Sequence, residues 1–64
     1  MKVTYDSKVD VLWIRLKDKG IVDSDEQSPG LILDYDADGN IIGIEIHHAS
    51  QRLEDPRVVE YVEA

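Results

Sequence analysis

The stretch that decides the fold reads Leu31-Ile32-Leu33-Asp34-Tyr35-Asp36-Ala37-Asp38-Gly39-Asn40-Ile41-Ile42-Gly43-Ile44-Glu45-Ile46. Two apolar runs flank a short cluster of Asp, Gly and Asn, which are residues that tolerate turn conformations. Because the runs are rich in β-formers and are separated by this turn chemistry, the stretch predicts a β-hairpin with strands over residues 31–36 and 40–47.

The same letters also match a calcium-binding loop of the Asp-x-Asp-x-Asp-Gly type with a Glu at its last ligand position. Its carboxylates would come from Asp34, Asp36, Asp38 and Glu45. Such a loop lies between two helices, whereas both flanks here favour strands. We therefore favour the hairpin, and we keep divalent-ion or small-ligand binding by the 34–45 segment as an alternative function.

Three further strands are predicted outside the hairpin. Residues 2–5 alternate polar and apolar side chains, as a short strand does. Residues 9–16 are apolar on both faces, so this strand is expected inside the sheet. Residues 21–26 form a weaker, acidic strand that suits a sheet edge, where charge discourages unwanted pairing.

The carboxy-terminal segment has a different pattern. Asp55 followed by Pro56 favours a helix start, because Asp caps well and Pro fits the first helical turn. The three valines at 58, 59 and 62 also suit a strand. For residues 55–63 we expect the helix and keep the strand as the alternative.

Together these elements predict an α+β fold, with a single antiparallel β-meander of four to five strands and a short C-terminal helix. We expect one domain over residues 1–64. The expected core is a set of apolar side chains from the central strands: Leu12, Ile14, Leu16, Ile32, Ile42, Ile44 and Ile46. Whichever sheet face the helix leaves bare would need another subunit.

Size and charge limit the possible functions. A chain of 64 residues without cysteine has neither a large core nor disulfides to stabilise it, so self-association is expected to contribute. The net charge of −7 repels phosphate backbones and anionic membranes and favours basic partners. No apolar run approaches the length of a membrane span or a signal peptide, so we expect a soluble, cytoplasmic protein.

The sequence contains no recognisable catalytic or metal constellation. No serine lies in a Gly-x-Ser-x-Gly elbow. His47 and His48 are neighbours on a predicted strand, so their side chains point to opposite faces and cannot close on one ion. We therefore expect no enzymatic activity, no cofactor and no metal.

The candidate interface residues are Val11, Trp13 and Arg15, which share one face of the second predicted strand. Aromatic and guanidinium side chains are favoured in the centres of protein interfaces. In the alternative interpretation, Trp13 packs beneath the carboxy-terminal segment and Arg15 pairs with a nearby carboxylate.

Four segments follow one another in a specific order: Val3-Thr4-Tyr5-Asp6, Leu12-Trp13-Ile14-Arg15-Leu16, residues 28–36 and residues 38–46. Together they resemble the domain of unknown function family DUF2283, over residues 1 to about 53. The resemblance implies a small antiparallel β-protein and carries over no activity and no catalytic residues. It also suggests a toxin-like partner. The His47-His48 pair and the extension over residues 54–64 depart from the family pattern.

The expected function is therefore a non-enzymatic protein-interaction module. It would act either as a homo-oligomer, with a homodimer as the leading form, or as an antitoxin-like cap. In the second case its acidic surface would screen a basic, toxin-like protein. Neither nucleic acid nor membrane is expected as a partner.

Overall fold

The computed structural model describes all 64 residues. Its elements are β1 (Lys2–Asp6), β2 (Val11–Arg15), β3 (Asp23–Ser28), β4 (Leu31–Tyr35), β5 (Ile41–His47) and α1 (Ala49–Arg52). The predicted hairpin is confirmed as the antiparallel pair β4–β5. The α+β class, with one antiparallel sheet and one short helix, is also confirmed. The helix is too short and too polar to cross a membrane.

The five strands form one sheet in the order β1-β2-β5-β4-β3. The meander is interrupted once, because the chain leaves β2 and returns as β3 at the far edge, so that β5 later fills the place between β2 and β4. As expected, β2 lies inside the sheet and the acidic β3 forms an edge. The second strand is shorter than predicted because Asp10 adopts a left-handed backbone conformation, with φ 56°.

The strand register divides the side chains between two faces of the sheet. Directly paired residues point to the same side, and the pairs on one side are almost all apolar. We call this side the apolar face; it carries Val3, Tyr5, Leu12, Ile14, Leu31, Leu33, Ile44 and Ile46. The opposite side, the polar face, carries Lys2, Thr4, Trp13, Arg15, Ser24, Asp34, Gly43 and Glu45.

The core is smaller than the sequence predicts. Of the expected core residues, Leu12 and Ile42 are buried, whereas Ile14, Ile44 and Ile46 are only half-buried. The assignment of Leu16 to the core is wrong, because it is exposed. Ile32 was also grouped with the wrong side of the sheet, since it pairs with Glu45 on the polar face. The cause is architectural: the protein has one sheet layer and a four-residue helix, which cannot cover a whole face.

The helix begins earlier than predicted. The helix expected at Asp55 and Pro56 is wrong: Asp55 accepts a hydrogen bond from the Arg57 amide in an isolated turn, and residues 58–64 are neither helix nor strand. The strand alternative for this segment is therefore also wrong. Consecutive β-branched residues such as Val58 and Val59 do not favour helix propagation.

The first turn of α1 is hydrogen-bonded to the carboxylate of Asp10, which lies forty residues before Ser50. Asp10 accepts hydrogen bonds from the amide and the hydroxyl of Ser50, at 2.9 and 2.7 Å, and from the Tyr5 hydroxyl at 2.7 Å. The hydrogen bonds from Ser50 and then Tyr5 lower the pKa of Asp10. Farther on, the Arg57 guanidinium lies 5.3 Å from the centre of the Tyr5 ring. These contacts join the end of the chain to the β1–β2 edge.

Candidate functional site

The β4–β5 turn is organised by the Asp36 carboxylate. Its Oδ1 accepts hydrogen bonds from the amides of Asp38 and Asn40, both at 2.9 Å, while Gly39 adopts a positive φ of 81°. The hydrogen bond from Asn40 is the main cause that lowers the pKa of Asp36. The geometry of this turn thus explains why Asp, Gly and Asn residues occupy the segment.

The four carboxylates of the calcium alternative lie in different places. Asp36 serves the turn, Asp38 is exposed, and Asp34 and Glu45 lie on adjacent strands of the polar face. Strands flank the turn on both sides, and no three His, Asp or Glu side chains are placed to hold a metal ion together.

Replacing Asp36 by alanine is expected to lower the melting temperature by several degrees, because two turn amides lose their acceptor. The contribution is present above the ordinary aspartate pKa of 3.8 and is lost as the pH falls through the lower pKa of the folded state. Thermal melts across an acid pH series should therefore show the difference from the parent protein shrinking below that value. Asp38→Ala is the matched control, since this exposed side chain should leave the melting temperature unchanged; equal losses would contradict the assignment.

On the polar face, one row of paired residues crosses all five strands. It runs from Lys2 through Arg15, Gly43 and Asp34 to Ser24. The row begins with two cations and ends with a carboxylate and a hydroxyl. Gly43, at its centre, contributes no side chain, so the middle of the row is open.

A cleft of about 310 Å³ lies over this opening. Its lining includes four residues of the row, one aromatic ring and three isoleucines, and the full set is Lys2, Thr4, Trp13, Ile14, Arg15, Ile21, Asp34, Ile42 and Gly43. The volume is at the lower limit of pockets that hold small molecules, near 300 Å³. A site with charges of both signs and an apolar wall can orient a polar small molecule.

Asp34 forms one end of the cleft and is the most buried charged residue, only 2% exposed. The Ser24 hydroxyl donates a hydrogen bond to its Oδ1 at 2.6 Å. Its Oδ2 lies over Gly43, where a Cβ would approach it to 2.9 Å. The glycine is therefore required by the neighbouring carboxylate, and the two residues form one structural unit.

Glu45 lies beside this unit, between Trp13 and Ile32 on neighbouring strands. Burial, reinforced by nearby Asp34, raises the pKa of Glu45 above its ordinary value. His47 Nε2 lies 3.5 Å from the Glu45 carboxylate and has no hydrogen-bond partner. The polar face thus concentrates negative charge next to the cleft.

The three candidate interface residues have different environments. Trp13 and Arg15 share the polar face as predicted, and Trp13 is 39% exposed. Arg15 donates hydrogen bonds to the carbonyls of Lys17 and Lys19 and lies 3.9 Å from Asp18, so it is held by its own loop. Val11 is only 5% exposed and can add little area to an interface.

The centre of the apolar face is only partly covered. Ile44 lies in the middle of the central strand, with Ile14 and Leu33 directly beside it, and all three are only half-buried. In a sheet that is packed against a second layer, these positions would be the most buried. The rest of the chain therefore covers the place where the apolar face is broadest only in part.

The family comparison agrees with this architecture. A family model described as "Protein of unknown function (DUF2283)" matches residues 2–50. The chain belongs to the DUF2283 family. The match covers all five strands of this DUF2283 protein and ends inside α1, so the second half of the helix and the carboxy-terminal segment follow it. No curated protein and no solved structure matches the chain.

Sequence reasoning missed the buried Asp34 and its partner Ser24. It gives Asp34 a strand position in the favoured hairpin and a ligand role only in the calcium alternative, and it assigns Ser24 no role. One signal was available: a glycine inside an otherwise apolar strand often marks a close approach by a neighbouring group. Gly43 is such a glycine, and the neighbouring group is the Asp34 side chain.

Proposed function

We propose that this protein is a non-enzymatic interaction module that pairs with a second copy of itself through the apolar face. The observation that carries the proposal is the half-buried state of Ile44 and its neighbours Ile14 and Leu33 at the centre of the sheet. Large apolar side chains in a contiguous patch gain free energy when a partner removes them from water. The cytoplasmic location expected from the sequence stays a prediction.

The dimensions of the molecule fit such a dimer. The chain forms a plate of 33 × 31 × 20 Å. A standard protein interface takes about 800 Å² from each partner, and the broad face of this plate offers an area of that size. Two sheets that pack face to face interdigitate side chains at a distance of about 10 Å. A twofold axis through Ile44 would bring the same apolar patch of both copies together.

The charge distribution also supports a self-complementary apolar contact. All eight side chains that define the apolar face are uncharged, and the charge on this side of the sheet lies at its β3 margin, where Asp25 pairs with Leu33. Because each chain has a net charge of −7, two copies repel each other at long range. Salt screens this repulsion over about 8 Å at physiological ionic strength. Self-association should therefore strengthen as salt is added, whereas binding to a basic protein should weaken.

Light scattering coupled to size exclusion tests the proposal. The parent protein is expected at twice the 7.3 kDa of one chain, and Ile44→Lys is expected at the mass of a single chain, because a charge at the centre of the face would be buried without a partner. The matched control is Ile41→Lys, on the same strand but already 43% exposed, which should keep the dimer mass.

Three outcomes would contradict this arrangement. A parent protein that stays at the single-chain mass at high concentration and high salt excludes the homodimer. A dimer that survives Ile44→Lys but dissociates on Trp13→Ala would place the interface on the polar face. A folded monomer that forms a salt-sensitive complex with a basic protein would favour the antitoxin-like alternative.

A further inference from the structure

Asp34 presents a buried carboxylate that no cation of the chain neutralises. It is 2% exposed, the neutral Ser24 hydroxyl donates a hydrogen bond to it, and its other polar neighbour is the Glu45 carboxyl. The ion pairs of the protein involve Asp18, Asp36 and Glu45, and none involves Asp34. Removing a carboxylate from water is costly unless a cation or several donors compensate it. A cation from outside the chain would supply that compensation.

The cleft gives such a cation access to Asp34. Asp34 is part of the cleft lining, and its Oδ2 lies over Gly43, in the space that a side chain at this position would take. Glu45, on the strand beside Asp34, adds to the negative charge at this end. Its raised pKa is consistent with two carboxylates close together in a region of low water content.

The other end of the cleft is positive. Lys2 and Arg15 are directly paired on β1 and β2 and both line it. Arg15 cannot serve as the missing partner of Asp34, because the carbonyls of Lys17 and Lys19 hold its guanidinium. Between the two ends, Trp13 and Ile21 provide an apolar wall. Aromatic faces also attract cations.

We propose that this cleft binds a small zwitterion, with an ammonium or guanidinium group at Asp34 and a carboxylate at Lys2 and Arg15. Arg15 and Asp34 lie on either side of β5, so their backbones are two strand spacings apart, roughly 10 Å. A ligand that reaches both ends needs its charges separated by an aliphatic chain, as in free arginine or lysine. The cleft lies on the polar face, so the proposal goes beyond the homodimer and does not depend on it.

Tryptophan fluorescence tests the proposal directly, because Trp13 is the only tryptophan of the chain and lines the cleft. The probes are L-arginine and L-lysine, with agmatine and cadaverine as the matching cations without a carboxylate. The amino acids are expected to change the emission in a saturable way, with affinities above those of the two cations. Asp34→Asn keeps the size and the hydrogen bond to Ser24 but removes the charge, and should weaken binding about tenfold or more.

Asp25→Asn is the matched control. Asp25 lies on the strand next to Asp34 but pairs with Leu33, on the apolar face, so it should leave the affinity unchanged. If Asp34→Asn does not fold, Lys2→Ala serves instead and should remove the preference for amino acids over the bare cations. Saturable binding that Asp34→Asn leaves intact overturns the proposal, as does the absence of any response to millimolar arginine and lysine. Equal affinity for agmatine and arginine overturns the role of Lys2 and Arg15.

Discussion

Replacing Ile42 by alanine is expected to lower the free energy of unfolding by about 2–5 kcal/mol, the range for large apolar side chains truncated in a core. Ile42 is 1% exposed and lies on the central strand. Its carbonyl also accepts the amide of Leu16 at 2.8 Å, which ties the end of β2 to β5. A domain of this size has a thin stability margin, so the loss should unfold a substantial part of the population.

Urea denaturation followed by circular dichroism measures this effect. The matched control is Ile41→Ala, the same substitution one position earlier on β5, where the side chain is 43% exposed. Its cost should be well below that of Ile42→Ala. Both variants and the parent protein should be compared at one protein concentration, because self-association makes apparent stability concentration-dependent. Equal destabilisation at the two positions would contradict the burial difference.

Replacing Gly43 by alanine is expected to cost about 1–3 kcal/mol, as overpacking of a filled site does. The new methyl group would lie 2.9 Å from Asp34 Oδ2 and 3.3 Å from Asp34 Cβ. The Asp34 side chain cannot easily move away, because its Oδ1 accepts a hydrogen bond from the Ser24 hydroxyl. The same methyl group would fill the floor of the cleft.

A double-mutant cycle isolates the cause of this loss. An Asp34→Ala background lacks the carboxylate and keeps only the 3.3 Å contact with the Cβ of residue 34. Adding Gly43→Ala there should cost less than it does in the parent protein, with a coupling energy of about 1 kcal/mol or more. Gly20→Ala is the control glycine substitution, because no atom lies within 4 Å of its Cβ position. If the losses of stability from Gly43→Ala and Asp34→Ala were strictly additive, the loss at Gly43 would not come from a clash with Asp34.

The hairpin was predictable because its signals are local. The turn residues around Gly39 and the β-branched residues on both sides lie within one short segment, and the acidic composition of β3 marks an edge for similar reasons. The shared face of Ile44 and Ile46 also follows from their alternation along β5, whereas the face of Ile32 on β4 does not. Most strands of the sheet could therefore be predicted from local sequence signals.

What sequence reasoning missed depends on contacts between distant residues. The helix begins at Ala49 because Asp10, forty positions earlier, accepts hydrogen bonds from Ser50. The local capping signal at Asp55 instead predicted a helix start in the carboxy-terminal segment. The close approach of Asp34 to Gly43 is likewise a property of paired strands: the glycine signals a close neighbour, but only the strand pairing identifies that neighbour as Asp34. The partly covered centre of the apolar face follows only once the helix is known to be four residues long.

The acidic β3 strand has a consequence for how far assembly can proceed. A five-stranded open sheet has two free margins, and unpaired backbone groups there can recruit further chains into a growing fibril. All six residues of β3 are exposed, and they include Asp23, Asp25 and Glu26. Abutting two such margins would place like charges side by side. Lateral polymerisation is thereby discouraged, whereas the proposed face-to-face pairing would end at two copies.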